Sequence, residues 1–413
     1  LASQLLVRDV PEEIYTWIER ERIKRLMTQK EFVHTILHDA YNGNVIQPSL
    51  PLDASSTNGS KSPEERIPFT FVDIFAGIGG FRIPLEKAGG KCLFSSEIDE
   101  FSKKTYKAWF DEIPSGDITQ IAISDIPEHD LLAAGFPCQP FSLAGVSKRN
   151  SLRTQHGFKC LSQGTLFFTL ATIIENKRPP IAFLENVKHL LSHDEGRTWE
   201  VIKGTLEDMD YKVFTKVIDG AKYVAQHRER IYLVCFDKHV FGENPTFEFP
   251  ADPTETRPSI EDILEPNPDS RYTLSDHLWS YLQEYARRHK KKGNGFGFGL
   301  VDLKGQTRTL SARYFKDGSE ILIPQEGKNP RRLTPKECAR LMGFDEKYQN
   351  NIVVSDTQAY RQFGNAVVPK VIEAILGKIL ETARTHIEQR GLLLKDSNGR
   401  GRTHADAVLR ASN

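Results

Sequence analysis

Apolar positions change rhythm along this chain, and the changes mark its parts. In residues 1–45 they recur three and four apart. Ile14, Trp17 and Ile18 share one face of a helix opened by Pro11, and Phe32, Val33, Ile36 and Leu37 share one face of a second. Thr28 and Glu31 have capping-box spacing ahead of that second helix, and Gly43 can stop it. "QLLVRDV" before them reads as a short strand. A module of about 40 residues cannot bury a sufficient core alone. Residues 46–68 are rich in Ser, Pro, Asn and Gly and read as a linker.

From Phe69 short continuous apolar runs alternate with helical stretches. "FTFVDIF", "KCLFSSE", "DLLAAGF" and "IAFLENV" have buried-strand character; "GGFRIPLEKAG", "DEFSKKTYKAWF" and "GTLFFTLATIIENK" separate them. The pattern predicts an α/β fold with a doubly wound, mostly parallel sheet over residues 69–237. "YKVFTKVI" and "RIYLVCF" follow without a clear crossover helix and are expected as an antiparallel edge. Residues 238–328 break the alternation with Pro, Gly, charge and one helix, "SDHLWSYLQEYARRH", and read as a smaller domain. Helical patterns return over 329–390, and 391–413 is a polar tail.

Composition narrows the class. With 39% hydrophobic and 27% charged residues and 55 basic against 55 acidic groups, the chain suits a globular protein without a uniformly basic coat. No run is long enough to span a membrane and the N-terminus does not read as a secretory signal, so a cytoplasmic site is expected. The five cysteines include no CxxC pair, which argues against a disulfide framework or a metal site.

Candidate chemistry gathers where strands end. In "FVDIFAGIGGFR", Gly77 and Gly79 let the backbone turn sharply beside a ligand. Arg82 stands where a dinucleotide fingerprint wants glycine, which disfavours NAD or FAD. Glu97 ends the second strand, where a carboxylate can accept ribose hydroxyls, and Asp117 follows one segment later. Singly each reads as a solvated turn carboxylate; in sequence they point to an adenosine-bearing ligand. "AAGFPCQPFS" places Cys138 past the end of what this reading counts as the fourth strand, held between Pro137 and Pro140 as a nucleophile needs. "FLENV" brings Glu185 to the same edge among apolar neighbours that favour a protonated carboxyl. In "QHRER", Arg228 and Arg230 are spaced to point one way; the bland alternative is a surface cluster with Glu229.

"DIFAGIGGFR", "GFPCQPFS", "ENV", "QHRERI" and "RQFGNAVVP" together resemble, in order and spacing, the motifs of DNA cytosine-5 methyltransferases over about residues 69–385. The resemblance implies the Rossmann-like fold of S-adenosylmethionine-dependent methyltransferases with a smaller target-recognition domain. It implies Cys138 as nucleophile, Glu185 as the group holding and protonating the base, and Arg230 on the base carbonyl, with Arg228 supporting it or a phosphate. Phe75, Gly77, Gly79, Glu97, Ile98, Asp117, Ile118, Asn365 and Val367 would line S-adenosylmethionine. Such enzymes flip the target base out of duplex DNA, and many have a restriction endonuclease counterpart without forming a stable complex with it.

Residues 142–165 read as a polar lid that closes on DNA, or else as a disordered insertion; Ser142, Lys148, Arg149 and Arg153 are its candidate contacts. "RRHKKKGNGFGFG" contributes Lys291, Lys292 and Asn294, and "QTRTLSARYFKDG" contributes Arg308 and Arg313. Their wording resembles the branch that methylates the inner cytosine of CCWGG or CCNGG. The N-terminal strand and two helices resemble ribbon-helix-helix modules, which pair as homodimers on DNA, but also suit a helical appendage. The rival readings are transfer-RNA cytosine methylation and a methyltransferase that also represses its own operon.

Overall fold

The computed structural model describes residues 69–137, 166–254, 257–294 and 297–389. The N-terminal module, the linker, Cys138 with the loop to residue 165, and the tail lie outside the described residues. The chain divides into two compact units after Ser62, and every described residue belongs to the second.

Six strands form the main sheet: β1 (Phe69–Ile74), β2 (Gly90–Ser96), β3 (Leu131–Gly135), β4 (Ile181–Val187), β5 (Tyr211–Asp219) and β6 (Glu229–Asp237). Their order is β2-β1-β3-β4-β6-β5. The first four are parallel, and β6 runs antiparallel to both β4 and β5. The expected antiparallel pair is therefore present, with β6 inside the sheet and β5 at its edge. One expectation needs correcting: "LLAAGF" is the third strand. The segment carrying Asp117 makes only an isolated bridge, Ser115 to Ser96, and then single helical turns at Ile118–Gln120 and Ile123–Asp125.

The strands are apolar on both sides because helices cover both faces. Phe71, Ala133, Phe183, Val234 and Phe236 pack toward one face with α1 (Arg82–Lys87) and the C-terminal α8 (Pro369–Gln389), which brings Val371, Ile372, Ile375 and Ile379. Val72, Leu132, Ala182 and Leu233 pack toward the other, against α3 (Leu166–Lys177) and α4 (Arg197–Asp208). Local chemistry sets the ends of the other helices. Asp99 caps α2 (Glu100–Phe110) by accepting from Ser102 N at 2.7 Å, and Thr334 with Glu337 forms a reciprocal capping box on α6 (Pro335–Leu341). Ser275 caps α5 (Asp276–Lys291), and α7 (Asp356–Asn365) precedes α8.

The described part of 238–328 shares most of its core with the rest. Ile260, Ile263, Tyr272, Leu310, Tyr314, Ile321 and Ile323 join the cluster that includes α6 and α8. Leu274, Leu282 and Leu322 form a small separate cluster under α5. The buried Arg331–Glu337 pair at 2.7 and 2.8 Å fixes the return of the chain into α6.

Candidate active site

The carboxyl ends of the parallel strands carry two adjoining constellations. At the end of β1 the chain enters left-handed backbone at Phe75 (φ 58°), Gly77 (φ 55°) and Gly79 (φ 85°). Glycine supplies this freely; Phe75, a bulky residue, is held there at a cost, as at ligand-binding turns. Ala76 N donates to Ser96 O at 2.9 Å and Gly77 N to Glu97 Oε2 at 2.8 Å, which ties the turn to the end of β2. Glu97 Oε1 accepts from Asp99 N at 2.7 Å. Asp117 is drawn in by Glu97 N donating to Ser115 O and Ser115 N donating to Ser95 O. Its bonds from Thr119 N and Oγ1 both fall on Oδ1.

These residues fit an adenosine-bearing cofactor. A Cβ placed on Gly77 or on Gly116 would meet open space. Close by in the chain, next to Glu97 and three residues before Gly116, two large apolar side chains are left in water: Ile98 is 67% and Ile113 64% exposed. Exposed residues of this kind are natural faces for an aromatic base. Ile118 departs from expectation. Its side chain is buried in the core of the α3–α4 face, with Phe75 packed against the same cluster, so it supports the pocket from beneath.

The second constellation is built by strand register. Gly135 on β3 lies opposite Glu185 on β4, and Val187, two residues on, lies opposite Arg230 on β6. Side chains two apart share a face, so Glu185 and Arg230 meet diagonally, with Arg230 Nε 3.1 Å from Glu185 Oε1. Glu185 is buried, and that burial raises its pKa, with Arg230 and then Arg228 opposing. Burial therefore favours the protonated carboxyl more than water does, while the two arginines favour the carboxylate.

Asn186, which sequence reasoning left outside the site, and Val367, which it placed among the cofactor-lining residues, complete the walls. Asn186 Nδ2 donates to Phe136 O at 2.8 Å, anchoring the chain two residues before Cys138. The signal was its place in "ENV", beside Glu185. Val367, buried after α7, packs into the notch between Gly80 and Gly135: a Cβ on Gly80 would lie 2.7 Å from Val367 Cγ2, and one on Gly135 3.6 Å from Val367 Cγ1 and from Glu185 Oε2. Asn365, the last residue of α7, is exposed.

Arg228 is a correction. Its guanidinium is buried and committed to backbone: Nη1 donates to Leu310 O at 3.0 Å, and Nη2 to Gly364 O at 2.9 Å and Ala366 O at 2.8 Å. It is not presented to a base or a phosphate. Burial, reinforced by Arg230, pushes it down to about 9, which leaves it a cation at neutral pH. A buried carboxyl under the glycine turn also went unnoticed in the run "FVDIF". Asp73 lies beside Arg82 and Tyr106, and burial holds it well above the usual carboxylate range, with Arg82 opposing.

Three of the five cysteines lie among the described residues and none suits a nucleophile. Burial, helped by Asp73, pushes Cys92 up to about 12, and burial also raises Cys235 and Cys338. Among the predicted DNA contacts, Lys291, Lys292, Asn294, Arg308 and Arg313 are exposed. Lys291 and Lys292 end α5, while Arg308 and Arg313 lie on the 307–313 arm that runs beside "QHRER". Ser142, Lys148, Arg149 and Arg153 are outside the described residues.

Comparison with known proteins agrees with this layout. The family model of the C-5 cytosine-specific DNA methylases matches residues 69–381. The type II methyltransferase M.DsaV of Dactylococcopsis salina is 49% identical over 76% of this chain and 87% of its own length. M1.ScrFI of Lactococcus lactis subsp. cremoris is 43% identical over 91% of this chain and 97% of its own, and M.SsoII of Shigella sonnei 42% over 90% and 99%. Alignments of that reach include part of residues 1–68. In fold, the chain is similar to the Entamoeba histolytica methyltransferase EhMeth, with a TM-score of 0.59 and 19% identity over 77% of this chain and 99% of that one. The chain belongs to the C-5 cytosine-specific DNA methylase family and is a DNA cytosine-5 methyltransferase.

Proposed function

We propose that the protein methylates carbon 5 of a cytosine flipped out of duplex DNA, with S-adenosylmethionine as donor and Cys138 as nucleophile. The observation that carries this is the Glu185–Arg230 pair at 3.1 Å, its carboxyl buried on the strand beside the one that leads to Cys138. Phe75, Gly77, Gly79, Glu97, Ile98 and Asp117 would hold the cofactor, which supplies an electrophilic methyl group when bound. Carbon 5 of cytosine is a poor nucleophile, so the ring must first be activated. The Cys138 thiolate adds to carbon 6. Glu185 gives its proton to ring nitrogen 3 and so neutralises the charge pushed into the ring, while Arg230 contacts the carbonyl oxygen. The resulting enamine carries nucleophilic electrons on carbon 5. After methylation, loss of the carbon-5 proton to a base expels the thiolate, and the proton on nitrogen 3 returns to Glu185, which restores the neutral ring.

The target we assign is the inner cytosine of CCWGG or CCNGG, from the wording of 293–299 and 307–318. Lys291, Lys292, Asn294, Arg308 and Arg313 are the candidate contacts. Bisulfite sequencing of DNA from cells expressing the protein tests reaction and target together. Methylcytosine confined to those sites, absent with Cys138→Ser, is the expected result. Methylation elsewhere overturns the target, and transfer of radiolabelled methyl to transfer RNA but not duplex DNA overturns the substrate. An unaltered Cys138→Ser rate removes the nucleophile.

A second reading concerns residues 1–45, which the M1.ScrFI and M.SsoII alignments partly include. There they would form a DNA-binding module that represses the protein's own operon as a homodimer. Deleting residues 1–60 should abolish promoter binding and spare methylation; equal loss of both would make the module part of the enzyme.

A further inference from the structure

We propose that Arg228 is a positioning residue that couples the DNA-facing 307–313 arm to the wall of the catalytic pocket at Val367. The inference rests on the reading above.

Arg228 joins three separate segments at one buried point. Its backbone N donates to Asp219 Oδ1 at 2.8 Å, which fixes the residue at the turn between β5 and β6. Its guanidinium reaches Leu310 O on the arm and, further along the chain, Gly364 O and Ala366 O. The arm is held alongside by a short ladder. His227 N donates to Thr307 O at 2.8 Å, Thr307 N to Ala225 O at 2.9 Å, and Thr309 Oγ1 to His227 O at 2.6 Å. Gln226 accepts from Leu310 N at 3.1 Å and donates to Leu341 O at 2.9 Å. Contact between arm and wall is direct as well: a Cβ on Gly364 would overlap the Ser311–Ala312 backbone.

The arm presents Arg308 and Arg313 to solvent, on either side of Leu310. The wall continues from Ala366 into Val367, which fills the notch at Gly80 and Gly135 beside Glu185. A shift of the arm on binding DNA therefore pulls on the same guanidinium that fixes residues 364–366. Nε of Arg228 is buried without a hydrogen-bond partner in the described structure, so the group is not fully satisfied in this arrangement. Such a group can exchange one set of acceptors for another without first breaking a saturated shell. Coupling of this kind is reciprocal: duplex that tightens cofactor binding must itself be bound more tightly by the loaded enzyme.

The test measures binding of S-adenosylhomocysteine by full-length protein, with and without a duplex containing the target site. For the native protein we expect the duplex to tighten it about 5- to 150-fold. Arg228→Met should bring that factor toward unity while each ligand still binds alone, and Arg228→Lys should restore part of it. If Arg228→Met does not fold, Thr309→Val, which loosens the arm and leaves Arg228 in place, should reduce the factor. An unchanged factor in a folded Arg228→Met, even with a lowered melting temperature, overturns the proposal, because Arg228 would then be a staple only. So does an unchanged factor in Thr309→Val when Arg228→Met fails to fold, or a native protein with no coupling. Native protein that leaves carbon 5 unmethylated overturns the underlying reading instead.

Discussion

Gly80→Ala probes how tightly the pocket wall is set. The added Cβ would stand 2.7 Å from Val367 Cγ2 and 3.3 Å from Val367 O. Carbon atoms prefer about 3.5–4.0 Å, so the methyl contact is short by about 1 Å. Val367 is β-branched and buried, which leaves it few rotamers with which to yield. The backbone at 366–368 must move instead, at a cost of about 1–3 kcal/mol. A misplacement of about 1 Å beside reacting atoms can lower turnover about 100-fold. Gly135→Ala is the matched control, because its Cβ would meet Glu185, Val367 and Phe81 at 3.6–3.7 Å, ordinary contact distances. Thermal denaturation and single-turnover methyl transfer should therefore separate a damaged Gly80→Ala from a nearly native Gly135→Ala. Adding Val367→Ala should recover part of the loss, with a coupling energy of about 0.5–3 kcal/mol. Native behaviour of Gly80→Ala, or no recovery in the double variant, would refute the packing argument.

Glu185→Gln should lower the transfer rate about 100- to 10,000-fold and remove the alkaline limb that this carboxyl gives the rate profile. Its folded-state pKa is raised, so its contribution to stability is present below the unfolded value and is lost as pH rises through the folded one. The Gln variant should lack that slope in melting temperature against pH. Arg230→Ala removes the chief influence lowering the Glu185 pKa, so the alkaline limb should move to higher pH in a rate profile that remains measurable. Glu97→Ala frees Gly77 N and Asp99 N and should weaken cofactor binding about 10-fold or more in calorimetry while duplex binding in the absence of cofactor stays within threefold.

Much of the fold could be read from local pattern. The four parallel strands, the antiparallel pair and helices α2, α3, α5 and α8 follow from apolar runs and helical periods that lie within single stretches of chain. The one miscount concerns "LLAAGF", the third strand and not the fourth: the segment before it, Ser115 to Asp125, makes one isolated bridge and two single helical turns and adds no strand.

The site was legible in its residue types and less so in their duties. Glu185 and Arg230 were each singled out from local sequence, and strand register brings them to 3.1 Å. Arg228 has the same chemistry, and nothing within "QHRER" separates the two arginines. The difference lies in partners 82 to 138 residues away, Leu310, Gly364 and Ala366, whose carbonyls take Arg228 out of the pocket. Asp73 likewise looked like an ordinary strand residue until the packing around it removed water. The sequence by itself thus determined which chemistry is present and at which strand ends it stands. Tertiary structure alone decided which groups face the pocket, because burial and hydrogen-bond partners depend on segments that meet only when the chain has folded.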